Sequence, residues 1–240
     1  MIEPGDDLAA LIITSLEAVN ETLLDGDILV IAQKIISKAE DRYVSLSSVS
    51  PSLEAVNLAR QTGKDPRLVE LILQESVAVA RYRHGVLIVE HRLGMVHANA
   101  GIDQSNIGDD DRVLLLPEDP DASAAGMRAR LMQHYRIDLA VIVNDSGGRA
   151  WRNGITGYAI GCAGITPLLD LRGTPDLFGR PLMVTQVAVA DELAAAASIM
   201  MGQGNEAVPA VIIRGARVER GGDTAGVLIR DPAEDMFRDW

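Results

Sequence analysis

Two aspartates, Asp103 in GIDQSN and Asp145 in VIVNDSGGRAWRNG, each follow an apolar run that reads as a strand. A carboxylate there, with hydroxyl and amide oxygens beside it, suits a hard cation such as Mg²⁺. Such ions take oxygen ligands, usually one or two protein carboxylates together with phosphate oxygens. Ser146 follows one aspartate, and Ser105 and Asn106 follow the other. If both strands enter their loops at one sheet end, the two carboxylates meet. The same residue types are also good turn formers, and spacing alone does not choose between the readings.

Arg149 and Arg152 flank Trp151 just beyond the pair Gly147-Gly148. Guanidinium forks match carboxylate and phosphate oxygens two at a time. A glycine pair lets backbone N–H groups approach an anion. Asp145, Arg149 and Arg152 are therefore the catalytic candidates, the arginines as orienting groups for an anionic substrate. Surface arginines around a glycine turn are the plainer alternative.

Two further segments carry polar groups in unusual places. AQKIISK supplies Gln33, Lys34 and Lys38, and the chain has only three lysines, the third being Lys64, against nineteen arginines. Read as a continuing strand, it puts Lys34, Ile36 and Lys38 on one face; protection of an edge strand by lysine is the other reading. MMGQGNEAVP places Gly202 as a helix C-cap. That does not account for Gln203, Gly204, Asn205 and Glu206 in the turn before an apolar strand. The four histidines lack ligand spacing, so zinc is not expected, and His97 reads as structural. The common nucleotide and metal signatures (GxxxxGK[ST], strand-GxGxxG-helix, HExxH, paired CxxC) are absent from the sequence.

The elements that must position these groups follow from periodicity. GDDLAALIITSLEAVNETLLDGD predicts an amphipathic helix with Asp6 and Asp7 in its first turn and Gly26 at its end. ILVIAQKII predicts a buried strand. A helix capped by Ser50, with Pro51 at its first position, stops at Gly63; DPRLVELILQES repeats that pattern. VAVARYR, GVLIVEHR and MVHANAG predict an antiparallel meander. Then come a polar loop, the strand RVLLLP, a helix over 120–135, the strand IDLAVIVN, and glycine-punctuated β-like residues through Leu171. The helix VAVADELAAAASIMM, the strand VPAVIIRG and a short helical tail in DPAEDMFRDW close the chain. Helices alternate with runs of consecutive strands, which predicts a mixed α+β fold with largely antiparallel sheets.

The chain has 240 residues, 48% hydrophobic and 3% aromatic, so its core is aliphatic. A net charge of -12 argues against nucleic acid as the main partner. One cysteine, Cys162, excludes an intrachain disulfide, and its run GCAG reads as small-residue packing. No apolar run reaches the ~18–20 residues of a membrane span, and residues 1–20 lack a signal pattern. A cytoplasmic protein without a membrane partner is expected.

Four of these segments, GDILVIAQKIISKAEDR, HANAGIDQSN, NDSGGRAWRNG and MGQGNEAVP, occur in an order that resembles the F420-0:gamma-glutamyl ligase family. The resemblance runs from about Gly5 to Gly215, and the closing DPAEDMFR adds to it. It implies a single ligase domain over 1–240, whether undivided or of two interleaved subdomains, forming an intertwined homodimer. The family's usual N-terminal strand and Leu-Pro contact have no counterpart in residues 1–5. The resemblance further implies that GTP phosphorylates the terminal carboxylate of F420-0, and that the amine of L-glutamate attacks the acyl phosphate. Further γ-linked glutamates follow in later rounds. Two divalent ions, Mg²⁺ or Mn²⁺, are implied per site, with Asp103, Asp145, Ser146 and Gln203 in the ligand positions. Gln33, Lys38, Asn106 and the run Gly202, Gln203, Gly204, Asn205, Glu206 match nucleotide contacts. A catalytically inactive nucleotide-binding relative, acting as a partner or regulatory subunit, is the alternative.

Overall fold

The computed structural model describes every residue except 106, 108–110, 239 and 240. The fold is mixed α+β. Its centre is a four-stranded sheet in the order β11-β1-β7-β8, built from β1 (Ile28–Ala32), β7 (Ala140–Arg149), β8 (Arg152–Ala163) and β11 (Ala210–Ile213). Only β1 and β7 run parallel; the other two pairings are antiparallel.

Burial on both faces explains why β1 reads as an unbroken apolar run. Leu29 and Ile31 join Val141 and Val143 on one face, against Leu8 and Ala9 of α1 (Leu8–Ala18) and Ala124, Met127 and Leu131 of α5 (Pro120–Tyr135). Ile28 and Val30 join Ala140 and Ile142 on the other face, against Ala190, Ala194 and Ala197 of α6 (Val189–Met201). The alanines of α6 let that helix lie close to the sheet.

A second apolar core lies between α3 (Leu53–Thr62), α4 (Pro66–Gln74) and the meander β3 (Ser76–Arg83), β4 (Val86–His91), β5 (Val96–Ala98). Beside it β2 (Tyr43–Ser45) pairs antiparallel with β6 (Arg112–Leu114). A two-stranded arm of β9 (Leu169–Asp170) and β10 (Gln186–Val187) carries Leu177 fully exposed at 100%, with Phe178, Met183 and Val184 also in solvent.

Four expectations need correction. The first helix ends at Ala18, not Gly26, because Val19 caps it and Asn20 takes a left-handed conformation at φ 54, which asparagine tolerates. Ser52, not Ser50, caps α3, its side chain accepting from the Ala55 N–H at 3.1 Å. The strand at 28 stops at Ala32, and α2 (Gln33–Ala39) is a helix; a continuous apolar run does not distinguish the two by period. NDSGGR is not a loop but the far half of β7, which turns at Ala150-Trp151 into β8. The other predicted helices and the meander are present, and the tail forms one short 3₁₀ turn at Pro232–Glu234. No helix among the described residues is long and apolar enough to cross a membrane.

Candidate active-site cleft

The central sheet opens a cleft at one end because its strands leave it there. β1 pairs with β7 only as far as Ala32 beside Asn144, and then turns into α2. Beyond that point β7 continues alone on this edge, carrying Asp145 and Ser146. β11 runs antiparallel to β1, with Ile31 beside Ala210, so the residues entering β11, 202–209, lie at the same end. Crevices outside the carboxyl ends of parallel strands are where open α/β sheets bind ligands. This one encloses about 370 Å³ and is lined by Gln33, Lys34, Lys38, Asp103, Asp145, Ser146, Gly202 and Gln203 among others. Three of the four polar segments thus meet through sheet topology alone.

The fourth arrives from the second core. After β5 a tight turn, with Ala100 at φ 53, leads to Asp103, whose backbone exchanges two hydrogen bonds of 2.9 Å with Leu114. Its side chain meets α2. Gln33 Nε2 donates to Asp103 Oδ2 at 2.9 Å, and Lys34 Nζ lies 3.5 Å from Oδ1. Ser37, one turn along α2, donates its hydroxyl to Gln33 Oε1 at 2.9 Å and so fixes which end of the amide faces Asp103. As a helix rather than a strand, α2 still puts Lys34 and Lys38 on one face, four residues apart. Lys38 is only 8% exposed. Desolvation holds its ammonium below the usual lysine range, and the Lys34 charge adds to that.

Asp145 stands opposite Tyr158 in the β7–β8 ladder. Its Oδ1 accepts from the Ser146 N–H at 2.8 Å and its Oδ2 from the Tyr158 hydroxyl at 3.1 Å. Desolvation pushes this carboxyl up to about 7, and the Asp103 charge adds to the rise against the opposing Ser146 N–H and Tyr158 hydroxyl. Asp103 is raised too, mainly by desolvation, with Lys34 and Gln33 opposing. Two carboxylates that repel each other in a dehydrated cleft are where a divalent cation would relieve the most charge. Every donor in the set is oxygen, as Mg²⁺ or Mn²⁺ prefers. Among the described residues no group of three or more His, Cys, Asp or Glu side chains is placed so that it could hold a metal ion by itself. The residues fit an ion completed by ligand oxygens rather than an all-protein cage.

The turn after α6 explains two side chains that the C-cap reading of Gly202 does not. Gln203 Nε2 donates to Ser198 Oγ at 2.9 Å, which leaves its carbonyl oxygen for a ligand. Glu206 folds back to accept from the Gly204 N–H at 2.8 Å. Gly202 sits at φ 73 and ψ -179, a conformation that favours glycine, and a Cβ there would also displace the Glu206 carboxylate. Asn205 is exposed on the turn, and Asn106 lies outside the described residues.

Arg149 and Arg152 are brought together, as partners in the β7–β8 ladder, but they are exposed at the hairpin tip and do not line the cleft. At about 3.4 Å per strand residue the tip lies roughly 13 Å beyond Asp145. Trp151 packs there against Phe237, ring centroids 5.0 Å apart. Sequence reasoning missed Tyr158 and took His97 as structural only. Both line the cleft, and His97 Nδ1 lies 3.0 Å from the Tyr158 hydroxyl. Burial, with nearby His91, lowers the His97 imidazole to about 4, so it stands neutral.

The segments that line the cleft lie within the span over which this chain matches known proteins. The family described as F420-0:Gamma-glutamyl ligase matches residues 1–215, and the chain belongs to that family. Coenzyme F420:L-glutamate ligase of Methanothermobacter thermautotrophicus is 50% identical over 240 residues, covering 99% of this chain and 95% of the relative. The Methanopyrus kandleri protein of the same name is 47% identical over 241 residues, covering 99% and 93%. That of Methanocaldococcus jannaschii is 44% identical over 214 residues, covering 89% and 85%.

Proposed function

We propose that this protein is an amide-forming ligase that joins L-glutamate to F420-0, using GTP, and then adds further γ-linked glutamates. The observation that carries the reading is the meeting of Asp103, Asp145, Gln203 and the two α2 lysines in one cleft of a strongly acidic chain. The relatives' name, coenzyme F420:L-glutamate ligase, supports the choice of glutamate and of the deazaflavin coenzyme.

A carboxylate is a poor electrophile, and bringing it to a phosphate sets two anions against each other. Asp103, Asp145, the Ser146 hydroxyl and the Gln203 carbonyl oxygen would hold divalent cations, Mg²⁺ or Mn²⁺, whose charge offsets that repulsion when they are bound. Lys38, buried on α2, adds a fixed positive charge on the same side, and Lys34 a second. Gln33 holds Asp103 in place, and the exposed turn carrying Gln203 and Asn205 meets the nucleotide. The acceptor carboxylate takes the γ-phosphoryl group of GTP, releasing GDP. The neutral amine of glutamate then attacks the acyl carbon, the C–O bond to phosphate breaks, and the amine loses its proton. Positioning supplies most of the rate in such transfers.

Arg149 and Arg152, at the hairpin tip, meet the distal part of the acceptor rather than the reacting phosphoryl group. The exposed apolar arm between β9 and β10 supports a homodimer, since Leu177, Phe178, Met183 and Val184 gain burial only against another surface.

Hydroxylamine in place of glutamate tests the acyl-phosphate step. Hydroxamate of F420-0 formed together with GDP is expected. GDP release without hydroxamate, or hydroxamate without nucleotide, contradicts it.

A further inference from the structure

Tyr158 and His97 join the two cores across the cleft. Tyr158 comes from the central sheet and His97 from the meander, and the Tyr158 hydroxyl is the atom between His97 Nδ1 at 3.0 Å and Asp145 Oδ2 at 3.1 Å. A phenol has one hydrogen to give. Facing Asp145 in the ionised form that a cation would bind, it gives that hydrogen to Oδ2, and His97 then donates Nδ1–H to the phenol oxygen. His97 Nε2 is buried with no hydrogen-bond partner among the described residues, so no bond at that end competes to orient the ring.

Packing fixes the phenol as well. A Cβ on Gly147, across the ladder, would come within 2.9 Å of Tyr158 Cε1 and 3.4 Å of its hydroxyl. The glycine at 147 is therefore the space in which the tyrosine ring lies, two residues along β7 from the carboxylate it holds. With Oδ1 taken by the Ser146 N–H and Oδ2 by Tyr158, both oxygens of Asp145 are restrained.

We propose that Tyr158 is a positioning residue that fixes the Asp145 carboxylate for cation binding, and that His97 sets the direction of the Tyr158 hydroxyl hydrogen. The inference rests on the reading of Asp145 as a cation ligand. Partners behind a metal ligand orient it and raise affinity, and losing one typically costs about 10–100-fold. Tyr158 gives Asp145 such a partner, and His97 gives Tyr158 one.

The test is Mn²⁺ titration of the purified protein, with free Mn²⁺ followed by electron paramagnetic resonance and with no substrate present. Tyr158→Phe keeps the ring over Gly147 and removes only the hydroxyl; it should weaken Mn²⁺ about 10-fold with little change in melting temperature. His97→Leu should weaken it similarly. His97→Asn, whose side-chain N–H stands near the position of Nδ1–H, should restore most of the affinity. Tyr158→Phe binding Mn²⁺ like the parent would overturn the proposal, as would His97→Asn losing as much affinity as His97→Leu. If His97→Leu does not fold, parent, Tyr158→Phe and His97→Asn still decide it. If the parent alone binds no Mn²⁺, the titration is repeated with GDP present against a GDP–Mn²⁺ blank, and no binding there either overturns the cation reading itself.

Discussion

Gln33 donates to Asp103 at 2.9 Å across seventy positions of sequence, and it does so because Ser37 holds the other end of its amide. The bond ties the first turn of α2 to the loop that follows the meander, so the cleft's two walls share it. Gln33→Glu retains the length and the Ser37 contact but puts a carboxylate against Asp103. The expected result is Mn²⁺ binding and kcat/KM for ligation lowered about 10-fold or more, with the fold intact by circular dichroism. Unchanged metal binding would mean that Asp103 is not held for an ion.

The turn after α6 makes a separate prediction. Gly202→Ala has to displace Glu206, releasing the Gly204 N–H, and puts a side chain at φ 73. The strain costs about 1 kcal/mol. The functional effect should fall on the KM for GTP more than on that for glutamate. Equal rises in both would indicate a general loosening of the cleft.

Arg149 and Arg152 test how far the acceptor extends along the hairpin. Alanine at either position removes a charged hydrogen-bonding group worth about 1.5–3 kcal/mol where it meets an anion. The KM for F420-0 should rise about 10-fold while kcat with saturating acceptor changes little. A collapse of kcat at unchanged KM would put these side chains at the reacting centre, against the position the strand gives them.

How much of this was legible in the chain can be argued from the same hairpin. The meeting of Asp103 and Asp145 was one of two readings the sequence left open, and the cleft brings them together although Asp145 lies within β7 and not in a loop after it. The family resemblance rested on segments that do line the cleft. Tyr158 was not legible. Arg149 pairs with Arg152, but Gly148 pairs with Ile155, so an irregularity next to the turn shifts the register by two residues. Without it Thr156 would face Asp145. Nothing in GGRAWRNG announces that bulge, and register decides which side chain meets which. The helix at Gln33 was hidden for a different reason, since a buried strand and a short buried helix share the same apolar run.

Stability has its own anchor at the opposite end of β1. Asp27, 1% exposed, accepts two hydrogen bonds of 2.9 Å from Arg214, which follows β11, and one of 2.8 Å from the Leu24 N–H. Desolvation raises this carboxyl, but the Arg214 and Leu24 bonds and the Arg214 charge outweigh it, leaving it below the usual range. A group depressed on folding adds stability above its unfolded pKa and loses it as pH falls through the folded value. Asp27→Asn should therefore cost about 1–3 kcal/mol at neutral pH. The gap from the parent should narrow only in the acid range below pH 4, which urea melts at several pH values would measure. A gap independent of pH would mean that packing, not the charge, carries the contribution.

The measurement that bears most directly on the central claim is a ligation assay read by mass spectrometry. Purified protein is incubated with F420-0, L-glutamate, GTP and Mn²⁺, with Asp145→Ala in parallel. A deazaflavin heavier by one or more glutamate increments is expected, dependent on GTP and on the added metal, and lost in Asp145→Ala. A glutamate increment that persists in Asp145→Ala, or that needs no nucleotide, would contradict it.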